Sequence, residues 1–249
     1  MLVAARSISP LIAKLQRDGP LAEAERQALG QVATGAQAHL PNETIGVEGG
    51  AAGGVHILVE GMVQRHKELL DGTRQIVGIS LPGDLLDLAA FLRGRRDYST
   101  TTLTRAVTVK IGESALRQLI DRHPRLGRLL WTELAHDMAI GQEWMVSLGR
   151  RSGHSRVAHF FCEFYTRIGL NDGIQGFRCP LPLTQAELAD VLGLSCVHIN
   201  RVLQQLRREG LIALQSGQLV IKDWEKLRAV GGFNSAYLSP SPPQAANAG

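Results

Sequence analysis

Residues 183–212 constrain this chain more than any other stretch. They run Leu-Thr-Gln-Ala-Glu-Leu-Ala-Asp-Val-Leu-Gly-Leu-Ser-Cys-Val-His-Ile-Asn-Arg-Val-Leu-Gln-Gln-Leu-Arg-Arg-Glu-Gly-Leu-Ile. The spacing predicts two short helices joined by a tight glycine turn and closed by a further glycine-marked stop. Thr184 stands where a first helix needs a cap, and Glu187 follows three residues later, the spacing of a capping box. Leu188, Val191 and Leu192 then form one apolar stripe. Gly193 supplies the left-handed backbone of a sharp helix exit, and Ser195 caps the next helix. In that helix Ile199, Val202, Leu203 and Leu206 share the inner face, which leaves Val197, Arg201, Gln204 and Arg208 outside. Two helices at a fixed angle, with arginine and glutamine on the outer face of the second, meet the requirements of a major-groove reader.

With 249 residues, 44% apolar and 20% charged, the chain has the length for two domains and the composition of a folded soluble protein. Its net charge of +4 permits nucleic-acid binding without demanding it. The cluster Arg201, Arg207 and Arg208 is the more informative bias. No run reaches the ~18 apolar residues of a membrane span, and Met1 to Ile12 lacks the apolar core of a signal peptide, so a cytoplasmic protein without membrane contact is expected. The three cysteines, Cys162, Cys179 and Cys196, are odd in number and widely spaced. They imply neither a disulfide framework nor a zinc site, and no metal site is assigned.

Residues 11–38 read as helical, after which short alternating runs are broken by glycine turns. Val55–Val59, Met62–Leu70, Gln75–Ser80 and Thr100–Ile111 are the strand candidates, punctuated by Glu60-Gly61, Asp71-Gly72 and Pro82-Gly83-Asp84. Such spacing predicts a small antiparallel barrel or roll. A helical region begins near Glu113 and lengthens after Pro124. Trp131, Leu134, Met138, Gly141, Met145 and Leu148 then alternate steps of three and four, a seam able to pair with a copy of itself or to pack on its own domain. Residues 150–153 read as a hinge, and Val157–Ile168 as a further helix. Two strands around Ser216-Gly217 read as a wing, and residues 239–249 as a disordered tail.

This order, with Glu60-Gly61, Asp71-Gly72, Pro82-Gly83-Asp84 and Leu183–Ile212 carrying the likeness, resembles the Crp/Fnr family of bacterial transcription regulators over roughly residues 20–225. The resemblance implies an α+β fold: an N-terminal cyclic-nucleotide-binding-type antiparallel β-roll, a long dimerisation helix and a C-terminal winged helix-turn-helix domain. The expected divisions are 1–122 for the N-terminal helix and roll, 123–151 for the dimerisation helix, 152–238 for the DNA-binding domain and 239–249 for the tail. It further implies a homodimer on a two-fold-related double-stranded DNA site, with RNA polymerase as a further partner.

Two departures qualify the resemblance. Relatives that bind cyclic AMP hold its phosphate with an arginine before serine or threonine, and its ribose with a glutamate after glycine. Here the glutamate position falls on Asp87, preceded by Leu86, and the arginine position falls near Tyr98, before Ser99. Asp87, Tyr98 and Ser99 therefore mark the candidate ligand pocket, and a shifted loop would have to recruit Arg95 or Arg96. Cyclic AMP is not expected to bind with the family's usual chemistry. No iron–sulfur cluster is expected either, because no cysteine precedes Cys162. His56 and His66 read as ordinary strand histidines rather than haem ligands. No cofactor is predicted.

Arg201 is the leading DNA-binding candidate, since a guanidinium on this face can take guanine O6 and N7 together; a phosphate contact is the alternative. Asn200 could bond adenine or a phosphate, and His198 a base edge or phosphate, each with a merely exposed polar side chain as the alternative. Val197 falls where many members of the family place a base-reading glutamate, and it could only touch a thymine methyl. Ser195 and Thr184 cap helices whose N-termini favour phosphate, and Gln185 is a candidate phosphate contact. Cys196 is read either as a thiol activated by a helix N-terminus or as a small residue beside DNA. The glycine-rich run 46–54 lacks the Gly-Lys-Ser/Thr ending of a phosphate loop and reads as a flexible turn. No catalytic constellation is present. The rival reading is a cyclic-nucleotide-binding module acting on a protein partner, which leaves the helix-turn-helix without a purpose.

Overall fold

The computed structural model describes residues 8–172 and 176–238. The first described elements are two short helices, α1 (Ser9–Leu15) and α2 (Glu23–Val32), separated by a 3-10 turn over Gln16–Asp18. Seven strands then build the roll: β1 (Ala33–His39), β2 (Thr44–Gly46), β3 (Gly54–Glu60), β4 (Val63–Glu68), β5 (Arg74–Ser80), β6 (Ser99–Thr102) and β7 (Ala106–Gly112). They pair antiparallel in two sheets, ordered β1-β7-β3 and β2-β6-β4-β5. The short helix α3 (Leu88–Arg93) interrupts them, and α4 (Glu113–Arg122) closes the roll. The 27-residue α5 (Pro124–Arg150) leads away from it.

After residues 151–152 the chain turns into α6 (Gly153–Asp172), then β8 (Arg178–Pro180), α7 (Gln185–Leu192) and α8 (Cys196–Arg208). β9 (Ile212–Gln215) and β10 (Gln218–Ile221) form the wing, with β8 adding a third strand to its sheet, and α9 (Trp224–Gly231) follows and packs against α6. The tail from residue 239 lies outside the described residues. No helix among the described residues is long and apolar enough to cross a membrane.

Two large apolar bodies, with a smaller cluster of Leu58, Val63, Leu86 and Ala106 in the roll, hold this arrangement. One joins α1, α2 and α4 to the first sheet and the start of α5 through Leu11, Leu15, Ile57, Val109, Leu119 and Leu126. The other is built on Phe160, Phe161 and Phe164 of α6 with Leu188, Ile199, Leu203 and Leu206 of the helix pair, and continues into Ile76 and Ile79 of β5. The roll and the C-terminal domain thus share buried apolar surface, and burying a side chain of this size stabilises by about 1.5–3 kcal/mol.

Two sequence expectations are corrected. Residues 33–38, expected to continue a helix, lie in β1; the run Ala-Thr-Gly-Ala-Gln-Ala-His has no apolar stripe to mark a strand, and its register shifts around Gly35, where φ is 55°. Thr100–Ile111 is two strands in different sheets, because Thr104 makes a corner: its Oγ accepts from the Met62 amide at 2.9 Å and donates to the Arg105 carbonyl at 2.8 Å. Leu134, one of the seam residues, is partly buried and packs against its own chain's core. The helices α3 and α9 and the strands β2 and β8 had no expectation attached.

Candidate DNA interface and roll interior

The helix pair takes its angle from local chemistry. Thr184 Oγ1 accepts the Glu187 amide at 3.1 Å, and the Glu187 carboxylate accepts the Thr184 amide at 2.7 Å, closing the capping box. Gly193 adopts φ 57° and ψ 44°, where a β-carbon is unfavourable. Ser195 then accepts the His198 amide at 3.2 Å to start α8. Ile199, Val202, Leu203 and Leu206 are buried, so the opposite face is fixed toward solvent.

That outer face carries the predicted residues. Val197 is 65% exposed, and Thr184, Gln185, Ser195, Cys196, His198, Asn200 and Arg201 are exposed with it. Asn200 donates to Gln185 Oε1 at 3.2 Å and accepts from Gln204 at 2.8 Å, linking the two helices by a polar bridge that was not anticipated. The His198 ring lies against the start of α6, where a β-carbon on Gly153 would strike it. Cys162 and Cys179 are buried in the domain, and burial pushes both thiols up to about 12, so they remain protonated packing residues.

Along α5, Trp131, Met138, Met145 and Leu148 are exposed, and nothing lies near a β-carbon placed on Gly141. Trp144, one residue from Met145, turns inward and donates to the buried Glu163 of α6 at 2.9 Å. Glu163 also accepts from Tyr237 at 2.8 Å, so one carboxylate sets α6 against both α5 and the C-terminal segment. Sequence reasoning missed Trp144 and Glu163; an indole on the flank of the seam was the available signal.

In the roll interior Arg96 is the arginine beside the predicted pocket residues, while Arg95 is exposed. Asp87 is 2% exposed and accepts from Arg96 Nε at 2.8 Å and from His56 Nδ1 at 2.5 Å. Arg96 also donates to the carbonyls of Ala51 and Ala52, and its own backbone bonds Gly49 and Gly50. A β-carbon at Gly46 would run into its side chain. The glycine-rich run 46–54, expected to be a flexible turn, is the cradle of this guanidinium. Tyr98 donates to the Leu86 carbonyl at 3.1 Å, and Ser99 accepts the Glu48 amide at 3.1 Å. All three predicted pocket residues are therefore engaged within the roll. Burial opposes ionisation of Asp87, but the hydrogen bonds from His56 and Arg96 outweigh it and hold the carboxyl below its ordinary value.

A winged helix-turn-helix joined by a long helix to an antiparallel roll defines a DNA-binding transcription regulator. Residues 37–123 match the cyclic nucleotide-binding domain and residues 155–230 the Crp-like helix-turn-helix domain. The nitrogen fixation regulation protein FixK of Bradyrhizobium diazoefficiens is 30% identical over 177 residues, which span 70% of this chain and 72% of that protein. The transcriptional activatory protein AadR of Rhodopseudomonas palustris is 28% identical over 190 residues, 76% of this chain and 78% of its own. The solved structure of FixK2 from Bradyrhizobium japonicum is similar with a TM-score of 0.73 at 26% identity, covering 80% of this chain and 97% of that one. The chain belongs to the Crp/Fnr family.

The Asp87 pair makes a prediction. Because its folded pKa is depressed, its stabilisation is complete above the ordinary value of 3.8 and is lost as pH falls from there through the lower folded value. Arg96→Ala leaves a buried carboxylate short of its partner, at a cost of about 3–5 kcal/mol. Urea unfolding from pH 7 to pH 3 is expected to show that loss at neutral pH and a shallower acid limb in the variant.

Proposed function

We propose that this regulator binds a two-fold-related DNA site as a homodimer in the cytoplasm, with α8 of each copy in a major groove. The observation that carries the reading is the exposed apolar stripe of Trp131, Met138, Met145 and Leu148 around Gly141, on the helix that leads to the reading face. In a monomer that stripe stays in water; against a second copy it becomes a coiled-coil seam. Arg201 reads guanine, and Val197 favours a thymine methyl over cytosine. Thr184, Gln185, Ser195, His198 and Cys196 lie at the phosphates or beside the groove, and Asn200 holds Gln185 in position. For an activating output the protein partner is RNA polymerase.

The signal acts on the orientation of the helix-turn-helix relative to α5. Arg74 of β5 pairs with Asp190 of α7 at 2.7 Å, and Gln75 donates to the Asp190 carbonyl at 2.6 Å, so a change in the roll reaches the first helix of the motif directly. The closed Arg96–Asp87–His56 cluster supports a roll that does not use cyclic AMP, since a cyclic phosphate would have to displace an internal ion pair.

Two expectations follow. Met145→Glu puts a charge into the seam; sedimentation should show a shift to monomer, and DNA affinity measured at fixed salt should fall at least a hundredfold, with unchanged helicity. A variant that remains dimeric, or a monomer that binds as tightly, contradicts the reading. Calorimetric titration with cyclic AMP should show no saturable heat; tight binding would return the roll to the family's usual chemistry.

A further inference from the structure

Where the 3-10 turn at the N-terminal end of the chain meets α5, three ligand-type side chains converge. Asp18, Glu133 and His136 each offer one atom within 4.8 Å of the other two. Glu133 and His136 are three residues apart on α5, so a carboxylate and an imidazole leave the same helix face toward one point. Asp18 approaches from outside that helix. Its Oδ1 lies 3.9 Å from His136 Nε2, and Glu133 Oε1 lies 4.0 Å from His136 Nδ1. Both separations are too long for hydrogen bonds, and because they run to opposite nitrogens of the ring, an ion with bonds of about 2.1 Å would take one imidazole nitrogen and draw the carboxylates in by side-chain rotation.

A second observation stands apart from this proximity. The Asp18 side chain is only 9% exposed, and its Oδ2 is sealed from solvent without a hydrogen-bond partner. A desolvated carboxylate oxygen with no donor is costly, and few survive in folded proteins without a ligand or water to meet them. Glu133 is as buried, at 6%. Its carboxylate lies 2.5 Å from Lys14 Nζ, but that ammonium also holds Asp84 at 2.7 Å and keeps a partner if Glu133 turns to an ion. The neighbouring Arg17 gives one guanidinium nitrogen to the Leu170 carbonyl at 2.7 Å, and its charge also acts on Glu133 and Asp18, so a bound ion has to compete with it.

We propose that Asp18, Glu133 and His136 form a binding site for a divalent first-row transition-metal ion. One imidazole nitrogen with two carboxylates suits Mn²⁺, Fe²⁺, Co²⁺ or Zn²⁺ and leaves the remaining positions to water. The bound ion ties the segment carrying Asp18 to the helix that connects the roll with the DNA-binding domain. Any effect on regulation rests on the function proposed above; the binding itself does not.

The test is titration of the metal-stripped full-length chain with Co²⁺, followed by calorimetry, visible absorption and thermal unfolding. One saturable ion per chain is expected, with a rise in Tm that tracks Co²⁺ concentration. His136→Gln and Asp18→Asn should each weaken binding at least tenfold and abolish the Tm rise, with unchanged circular dichroism. If Asp18→Asn does not fold, His136→Gln, whose side chain is 25% exposed, carries the comparison. No saturable binding by the wild-type chain, or equal binding by the folded variant, overturns the site. Neither readout involves DNA, so its failure and the failure of the DNA-binding reading are separate results.

Discussion

The carboxylate of Asp84 is the point at which the parts of this molecule are fixed to one another. It sits in the Pro82-Gly83-Asp84 turn of the roll, accepts the Leu81 amide at 2.9 Å and takes Lys14 of α1 at 2.7 Å, with Arg167 of α6 at 3.6 Å. Lys14 reaches on to Glu133 of α5, and Arg167 to Glu163 of α6. Burial works against ionisation of Asp84, but the charges of Lys14 and Arg167 outweigh it and hold the carboxyl below its ordinary value. The Lys14 and Asp84 side chains are only 20% and 17% exposed, so removing one partner leaves a largely desolvated charge, and the network tolerates few arrangements. Four parts of the chain therefore keep one relative position: the N-terminal helices, the roll, the long helix and the DNA-binding domain.

Arg65 extends the same logic. It makes a two-pronged ion pair with Asp137 on α5, and its guanidinium lies 5.4 Å from the centre of the Tyr98 ring. The Asp137 carboxylate overcomes the effect of burial and raises the arginine's pKa. The roll is thus anchored to α5 on one side and, through Arg74 and Gln75, to the first helix of the reading motif on the other. On the proposed reading, a signal that loosens either anchor changes the angle at which α8 is presented. Interfaces of this kind switch between packed arrangements rather than deform smoothly.

Much of this was legible in the sequence where local chemistry decides it. Thr184, Glu187, Gly193 and Ser195 announce their caps and turn by identity and spacing, and Ile199, Val202, Leu203 and Leu206 announce the buried face. What stayed hidden depends on long-range partners. β1 has five exposed residues between its buried ends, so nothing in its periodicity separates it from the helix before it. Arg96 lies nine residues from Asp87 and more than forty from Ala51 and Ala52, and only the folded roll brings the four together. The same holds for Asp18 with His136 and for Trp144 with Glu163. Charge pairs across domains leave no periodic trace.

Selection of bound fragments from a random double-stranded DNA pool, at a stated salt concentration, tests the central claim most directly. The account predicts an inverted repeat whose half-sites are centred about one helical turn apart, 34–36 Å. Each half-site should carry a fixed guanine whose preference disappears in Arg201→Ala. Enrichment of single half-sites without symmetry, or no enrichment over sequence-blind binding, would contradict it.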